Sequence, residues 1–328
     1  MIKNIILRSE DKNNEHRTPL IPSDVPILLL NGFRIFVERS LQRCFDDEEY
    51  SKCGAILIDK GSWVKFKKID SVILGLKYID NIDKLDHHTH IYFSHLFKTN
   101  SKLLDFFKKT NSCIMDLEHI CDKNNKRLVA FGYYAGYIGA IVGLLHHTNE
   151  LQMPTKYWNN EPIWNNRKYL NVAVIGHNGR CGIGVLKLLE KYSSHLNIQC
   201  YDRVRDKSDL CTYDIIYNCI FLDEHIKPFV TKNDIEKINH KLTIVDISCD
   251  PCHPHNPLPI YSESGSWDKY NIRINEHVDV ISIDNLPSLL PIDSSIYFSN
   301  SLVNLLLQLN NDNDCIWKRA HDIFINTK

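Results

Sequence analysis

The stretch YLNVAVIGHNGRCGIGVLKLLEKY, residues 169–192, leaves this chain less conformational freedom than any other. A hydrophobic strand ends at Gly176, a glycine-rich turn follows, and an amphipathic helix begins near Gly182. A Cβ in such a turn would keep backbone N–H groups away from a pyrophosphate at the helix N-terminus, so the arrangement points to a dinucleotide. The glycines stand at 176, 179, 182 and 184, and Asn178 occupies a place where the G-x-G-x-x-G pattern has glycine, so the match is imperfect. Asp202 closes the next strand, NIQCYD, where a carboxylate can accept from a ribose 2′-OH and repels a 2′-phosphate. That favours NAD over NADP, with the neighbouring Arg203 and Arg205 pulling the other way.

A turn of this kind belongs to a parallel sheet flanked by helices, and the remaining chain alternates accordingly. KNIILRS, RIFVERS, SVILGLK, HIYFSHL and SCIMDLE read as strands, with SDVPILLLNGF and SKLLDFFKKT as helices among them. LNVAVIG, NIQCYD, YDIIYNCI, KLTIVDIS and VDVISID form a second series, and SSIYFSNSLVNLLLQL and CIWKRAHDIF read as closing helices. At 328 residues there is room for two domains. The expected fold class is therefore α/β, with two Rossmann-like domains built on parallel sheets flanked by helices. The expected boundaries are 1–131 with 292–328 for a discontinuous catalytic domain, and 132–291 for the NAD domain. Within VAFGYYAGYIGAIVGLLHHTNEL, Gly132, Gly136, Gly139 and Gly143 recur at helical spacing, which predicts a buried helix in close contact with a neighbour, crossing between the domains. Ionisable residues close in on both of its sides, against a membrane span.

A net charge of −1 gives no global attraction to nucleic acid or an anionic membrane. No apolar run approaches the roughly 20 residues that span a bilayer. MIKNIILRSEDKNN is charged too early for a signal peptide, and eleven scattered cysteines suggest free thiols in a reducing, cytoplasmic setting. DISCDPCHPHNP, residues 246–257, spells a haem-attachment motif with Cys249, Cys252 and His253, and His255 stands close by. Without an export signal, and with four candidate ligands bunched into seven residues, neither haem nor another metal is expected there.

Lys77 follows the strand VILGL and His95 follows IYFS, so both are expected at the carboxyl edge of an open sheet, where ligands bind. A lysine whose pKa is lowered by burial and a histidine titrating near neutrality make an acid–base pair. Position alone fits a solvated surface lysine and a packed core histidine equally well.

HRTPLIP, GFRIFVE, the GSW at 61–63, VILGLK, FSHLFK, MDLE, AFGYYAGYIGA, GRCGIG, HPHNPLPIY and VISIDNLPSLLP follow one another between about residues 5 and 325. Together they resemble saccharopine dehydrogenase, the NAD-dependent, lysine-forming type; SIDNLPSLLP and AFGYYAG are the most specific blocks. The resemblance implies a two-domain enzyme with an interdomain active-site cleft, acting on saccharopine, lysine and 2-oxoglutarate; a monomer with no nucleic-acid or membrane partner is the accompanying expectation. Lys77 matches the family's catalytic lysine and His95 its histidine partner, while Glu118 matches a carboxylate that tunes their protonation. Arg17, Lys98, Asn100, Arg127 and Phe131 fall at substrate positions, the cations among them suited to the three carboxylates of saccharopine. Ser248, Cys249 and Asp250 fall on the substrate-side lip of the 246–257 loop. Gly179, Arg180, Asp202, Phe221, Ile247, Ile283, Asp284, Asn285 and Leu286 fall at NAD-contact positions.

The chain departs from the family where a glutamate is expected after the catalytic lysine: here stands Tyr78. That departure, with a trimmed chain, keeps open a divergent NAD-dependent amino-acid or opine dehydrogenase, or a non-catalytic NAD-binding relative. Cys181 and Cys219 have two readings: buried free thiols, which is the favoured one, or a redox pair, since the first and fourth strands of such a sheet are adjacent.

Overall fold

The computed structural model describes residues 1–79, 81–94, 101–166, 168–202, 205–220, 222, 226–311 and 316–327. The chain divides into two compact units, Met1–Ala130 with Pro291–Lys328, and Phe131–Leu290. Phe131 thus falls in the second unit, one residue from the boundary read in the sequence, because it caps the helix Gly132–His147 that the second unit owns.

In the first unit β1 (Asn4–Leu7), β2 (Arg34–Glu38), β3 (Ile56–Ile58), β4 (Ser71–Leu74), β5 (Thr89–Tyr92) and β6 (Cys113–Asp116) lie in the order β3-β2-β1-β4-β5-β6. Every pairing is parallel. The central strands NIIL and SVIL are buried along their whole length, as strands covered on both faces must be. From β1 the chain runs outward to β2 and β3 and then crosses back to β4, which pairs β1 through Ile6 and Ile73. Strand order reverses between β1 and β4, and the carboxyl ends of such a pair open the crevice where α/β sheets take ligands. The parallel register of β1 with β4 thus sets Arg8, Ser9 and Glu10 beside Gly75, Leu76 and Lys77.

The core beneath this edge contains an unusual histidine. His90 on β5 is fully buried, its ring edge-on to Trp63 at 5.0 Å and to Phe107 at 5.8 Å. Neither ring nitrogen has a hydrogen-bond partner among the described residues. Burial, then the charges of Arg8 and His88, hold its pKa well below the ordinary 6.5. Burial also lowers that of His88, and that of His147 in the second unit to about 4. These imidazoles stay neutral in the fold but take protons in the unfolded chain once the pH falls below 6.5. Stability is therefore expected to be level above about pH 7 and to decline as the pH falls through 6.5 toward 4, each group contributing up to ~1.4 kcal/mol per pH unit. His90→Phe removes one such group and an unpaired buried N–H worth about 1–3 kcal/mol. Thermal melts should show it more stable than wild type at pH 5.5, with a shallower acid slope; an equal loss of stability at every pH would contradict this account.

In the second unit β7 (Leu170–Ile175), β8 (Leu196–Tyr201), β9 (Ile215–Asn218), β10 (Leu242–Asp246), β11 (Asn271–Arg273) and β12 (Val278–Ile281) lie in the order β11-β12-β10-β9-β7-β8. All pairs are parallel except β11 with β12, which are antiparallel, because only a short turn joins them and a parallel crossover needs far more chain. Cys219 follows β9, the third strand of this unit rather than the fourth; the crossover from β8 carries β9 to the far side of β7 and so makes the third strand its neighbour.

The helix Gly132–His147 lies wholly within this unit and does not cross between the two. Its glycines give it close backbone neighbours: a Cβ on Gly136 would stand 1.8 Å from the carbonyl oxygen of Cys181, and one on Gly143 would stand 2.7 Å from Tyr217 and Val245 side-chain atoms. Gly184, on the facing helix Arg180–Glu190, abuts the backbone of Tyr133 in the same way. Among the described residues no helix is long and apolar enough to cross a membrane.

Candidate active site

At the carboxyl edge of the first unit, four charged side chains, Arg8, Glu10, Glu15 and Arg17, gather near Lys77. Arg17 Nε and Nη2 donate to Glu15 Oε1 and Oε2 at 2.8 and 2.6 Å, a two-pronged pair with both side chains buried. Burial alone would raise the Glu15 carboxyl, but the Arg17 guanidinium and then the Lys77 ammonium hold it below its ordinary value. The Lys77 charge is thus within electrostatic reach of Glu15. Arg8 and Glu10, directly after β1, complete the group with an ion pair at 3.4 Å. These four residues line one narrow crevice together with Thr18, Pro19, Ser40 and Arg43. Lys77 and Arg17 were expected here from the sequence; Arg8, Glu10 and Glu15 were not. The rule that placed Lys77 at a strand's carboxyl end, applied to KNIILRSE, points to Arg8 and Glu10 equally well.

Glu118, just past β6, accepts from Arg127 Nη2 at 3.2 Å, so Arg127 is held by a carboxylate of its own unit. Asp116 ends the same strand, buried, accepting from Ser94 Oγ at 2.5 Å and from the Glu118 N–H at 2.8 Å. The neighbour of Lys77, Tyr78, is half exposed. His95, Lys98, Asn100 and Phe221 lie outside the described residues.

In the second unit the glycine turn divides its work. Gly176 adopts φ +82°, a left-handed conformation that favours glycine, and a Cβ on Gly182 would meet the Gly176 carbonyl oxygen at 2.3 Å. These two glycines serve the turn itself. Gly179 is the N-cap of the helix Arg180–Glu190 and provides no side-chain cap, so the positive end of the helix dipole lies at the glycine turn. Arg180 adds a cation at this end. Asp202 lies exposed past β8 and accepts from the Arg205 N–H at 2.8 Å. The Arg205 side chain folds back, over the Tyr201 ring at 4.3 Å and onto the Cys200 carbonyl at 2.9 Å, away from the role of 2′-phosphate receptor considered above. This uncapped helix start and exposed carboxylate fit the pyrophosphate and ribose of NAD.

The other expected positions range from buried to exposed. Ile247, Ile283 and Leu286 are buried, with Ile247 and Leu286 against Gly139. Asp284 is exposed, and Asn285 takes φ +72° to cap the short helix Leu286–Leu289. Asp246, at the end of β10, gathers Asn218 Nδ2 at 2.9 Å, Ser248 Oγ at 2.5 Å and the Tyr261 hydroxyl at 2.6 Å. Ser248 therefore turns its hydroxyl toward its own sheet, and Cys249, at φ +50°, receives the Ser282 hydroxyl at 3.2 Å. Asp250 beside them is half-buried, and Cys252 donates to the Ser262 carbonyl at 3.5 Å. The loop that spelled a haem motif is tied to a buried carboxylate. Among the described residues no three His, Cys, Asp or Glu side chains form a metal-binding set. Cys181 and Cys219 are free thiols: burial pushes Cys181 up to about 11, and burial and then the neighbouring Cys181 raise Cys219 well above its ordinary value.

Residues 6–138 match the family model for the alanine dehydrogenase/PNT N-terminal domain. A solved L-alanine dehydrogenase shares the fold, with a TM-score of 0.74 at 16% identity, over 98% of this chain and 94% of that one. Two curated relatives, the NAD(+), L-lysine-forming saccharopine dehydrogenases of Candida glabrata and Schizosaccharomyces pombe, are each 35% identical over 97% of this chain and 95% and 96% of their own lengths. The aligned stretch of 354 positions with the first exceeds the 328 residues here, so that relative has segments this chain lacks. Similarity of this extent, running nearly end to end through both units, shows that the chain belongs to the NAD(+)-dependent, L-lysine-forming saccharopine dehydrogenase family.

Proposed function

We propose that this chain catalyses the reversible, NAD-dependent oxidative deamination of saccharopine to L-lysine and 2-oxoglutarate, with Lys77 and His95 as its acid–base pair. The observation that carries this reading is the charged group at the β1–β4 edge, where Lys77 stands within electrostatic reach of the Glu15–Arg17 pair. Bound at the start of the helix Arg180–Glu190, NAD supplies the hydride acceptor for the carbon that bears the secondary amine. Lys77 then takes a proton from the water that adds to the substrate imine, and His95 moves protons to the departing amine and from the hydroxyl as lysine and 2-oxoglutarate separate. Arg17, Lys98, Asn100, Arg127 and Phe131 bind and orient the substrate, with the Ser248–Asp250 segment at its side. Glu118 sets the protonation of the pair, and Glu15 balances the charge of Arg17 and Lys77. Every cysteine among the described residues is a free thiol, which supports a cytoplasmic setting, and we read the enzyme as a monomer.

The deciding assay is NADH oxidation with lysine plus 2-oxoglutarate, with ornithine, alanine and pyruvate as controls. Turnover with lysine alone is expected. Tyr78, uncharged where the family has an acid, favours a second reading, a dehydrogenase for another amino acid; turnover with a control pair only would select it. NADH binding without turnover on any pair would leave a non-catalytic relative.

Asp202 is proposed to hold the adenosine ribose. Asp202→Ala is expected to weaken NADH by about 10-fold, roughly the 1–2 kcal/mol of a charge-assisted hydrogen bond, and to narrow the preference over NADPH. Titration of both cofactors by fluorescence checks this, and an unchanged preference would remove Asp202 from the site.

A further inference from the structure

Sheet pairing reaches Gly75, whose N–H donates to Ile91 O at 2.9 Å, but the next two N–H groups are held differently. Leu76 N–H donates to Glu10 Oε1 at 2.7 Å and Lys77 N–H to Glu10 Oε2 at 2.9 Å, so one carboxylate takes both. Arg8 grips the following peptide unit: its Nη2 donates to the Lys77 carbonyl oxygen, while Nη1 donates to Ser9 O at 3.1 Å and pairs with Glu10 at 3.4 Å. Both side chains are buried, Arg8 at 2% and Glu10 at 7% exposure. Gly75 makes the room, since a Cβ there would stand 2.4 Å from Arg8 Nε and 2.6 Å from Cζ. A buried ion pair kept only for stability has no need to direct its hydrogen bonds at both sides of one residue.

We propose that Arg8 and Glu10 are positioning residues, a two-sided clamp on the peptide units flanking Lys77 that fixes the direction in which its side chain leaves the sheet. The clamp acts through Lys77, so this proposal rests on the function given above. Gly75→Ala drives the Arg8 guanidinium from its place, since the added Cβ would stand 2.4 Å from Nε, and Glu10→Ala removes the carboxylate. Each is expected to lower kcat by about 10-fold or more, with KM for NADH within about twofold, because a small misplacement of a reacting group slows chemistry before it weakens binding at a distance. Placed in a Lys77→Met background, Glu10→Ala should lose less than about twofold further, the non-additivity of residues that act through one another. An equal loss in both backgrounds, or wild-type kcat in both variants, would overturn the clamp. A second readout needs no turnover: the rate of reductive methylation of Lys77, followed by mass spectrometry with exposed Lys84 as internal control. We expect this rate to change by about threefold or more in both variants, a local environment effect on amine reactivity. An unchanged rate would overturn the clamp, whereas a changed rate in a protein that turns over no substrate would overturn only the assigned reaction.

Discussion

Lys77→Met is expected to lower turnover by about 10²–10⁴-fold, the usual worth of a positioned acid–base group, while NADH binding stays within about twofold. Methionine keeps the length and apolar stem of lysine but can neither accept nor release a proton. The backbone around it should persist, since the hydrogen bonds that hold it run to Glu10 and Arg8 and use no atom of the side chain. Removing the ammonium leaves Glu15 with one fewer cation, but Arg17 remains in two-pronged contact, so the buried carboxylate keeps its principal partner. The measurement is kcat for NADH oxidation with lysine and 2-oxoglutarate beside a fluorescence titration of NADH. Full activity would remove Lys77 from the chemistry; loss of NADH binding together with turnover would point to a structural lysine.

Gly136→Ala should be the most damaging methyl addition in the second unit. The added Cβ would stand 1.8 Å from Cys181 O and 2.6 Å from its carbonyl carbon, so it meets backbone, which has no rotamer to retreat into. The helices Gly132–His147 and Arg180–Glu190 would have to separate, loosening the apolar core between them. A loss of about 3 kcal/mol or more is expected, at the severe end of overpacking. Cys181 also lies in the first turn of the helix proposed to meet the NAD pyrophosphate, so NADH affinity should fall by about 10-fold as well. Gly132→Ala is the control: its Cβ would meet Arg180 Cβ and Cys181 Sγ at 3.4 Å, close to ordinary contact, and alanine is the better helix former by ~1 kcal/mol. Urea unfolding followed by tryptophan fluorescence should separate the two variants widely, and equal behaviour would contradict backbone contact between these helices.

How much was legible depended on how local each feature is. The strands were readable because NIIL, SVIL and LNVAVI are apolar runs ended by turn residues. The short edge strands β3 and β11 were missed, for three residues are too few to set a period, and in NIR only the middle one is apolar. The glycine spacing of 132–143 announced a closely packed helix, but the partner was named by the folded chain: Cys181 on one side, Tyr217 and Val245 on another. A motif can also mislead when its spelling is local and its cause is not. The cysteines and histidines of 246–257 look like ligands in a row, yet the loop is organised by Asp246, Asn218 and Tyr261, which come from three separate stretches of chain.

By itself the sequence determined two runs of α/β alternation, a glycine turn with Asp202 just past the strand that follows it, and Lys77 beyond a strand's carboxyl end. These follow from hydrophobic period and backbone stereochemistry, which act over a few residues. Only the tertiary structure decided what surrounds Lys77. Parallel pairing of Ile6 with Ile73 is what carries Arg8 and Glu10 to the backbone of Leu76 and Lys77, although about seventy residues of chain separate them. Contacts of that range depend on strand order and register, which are settled when whole strands bury their faces together and leave no local pattern in the amino acids on either side.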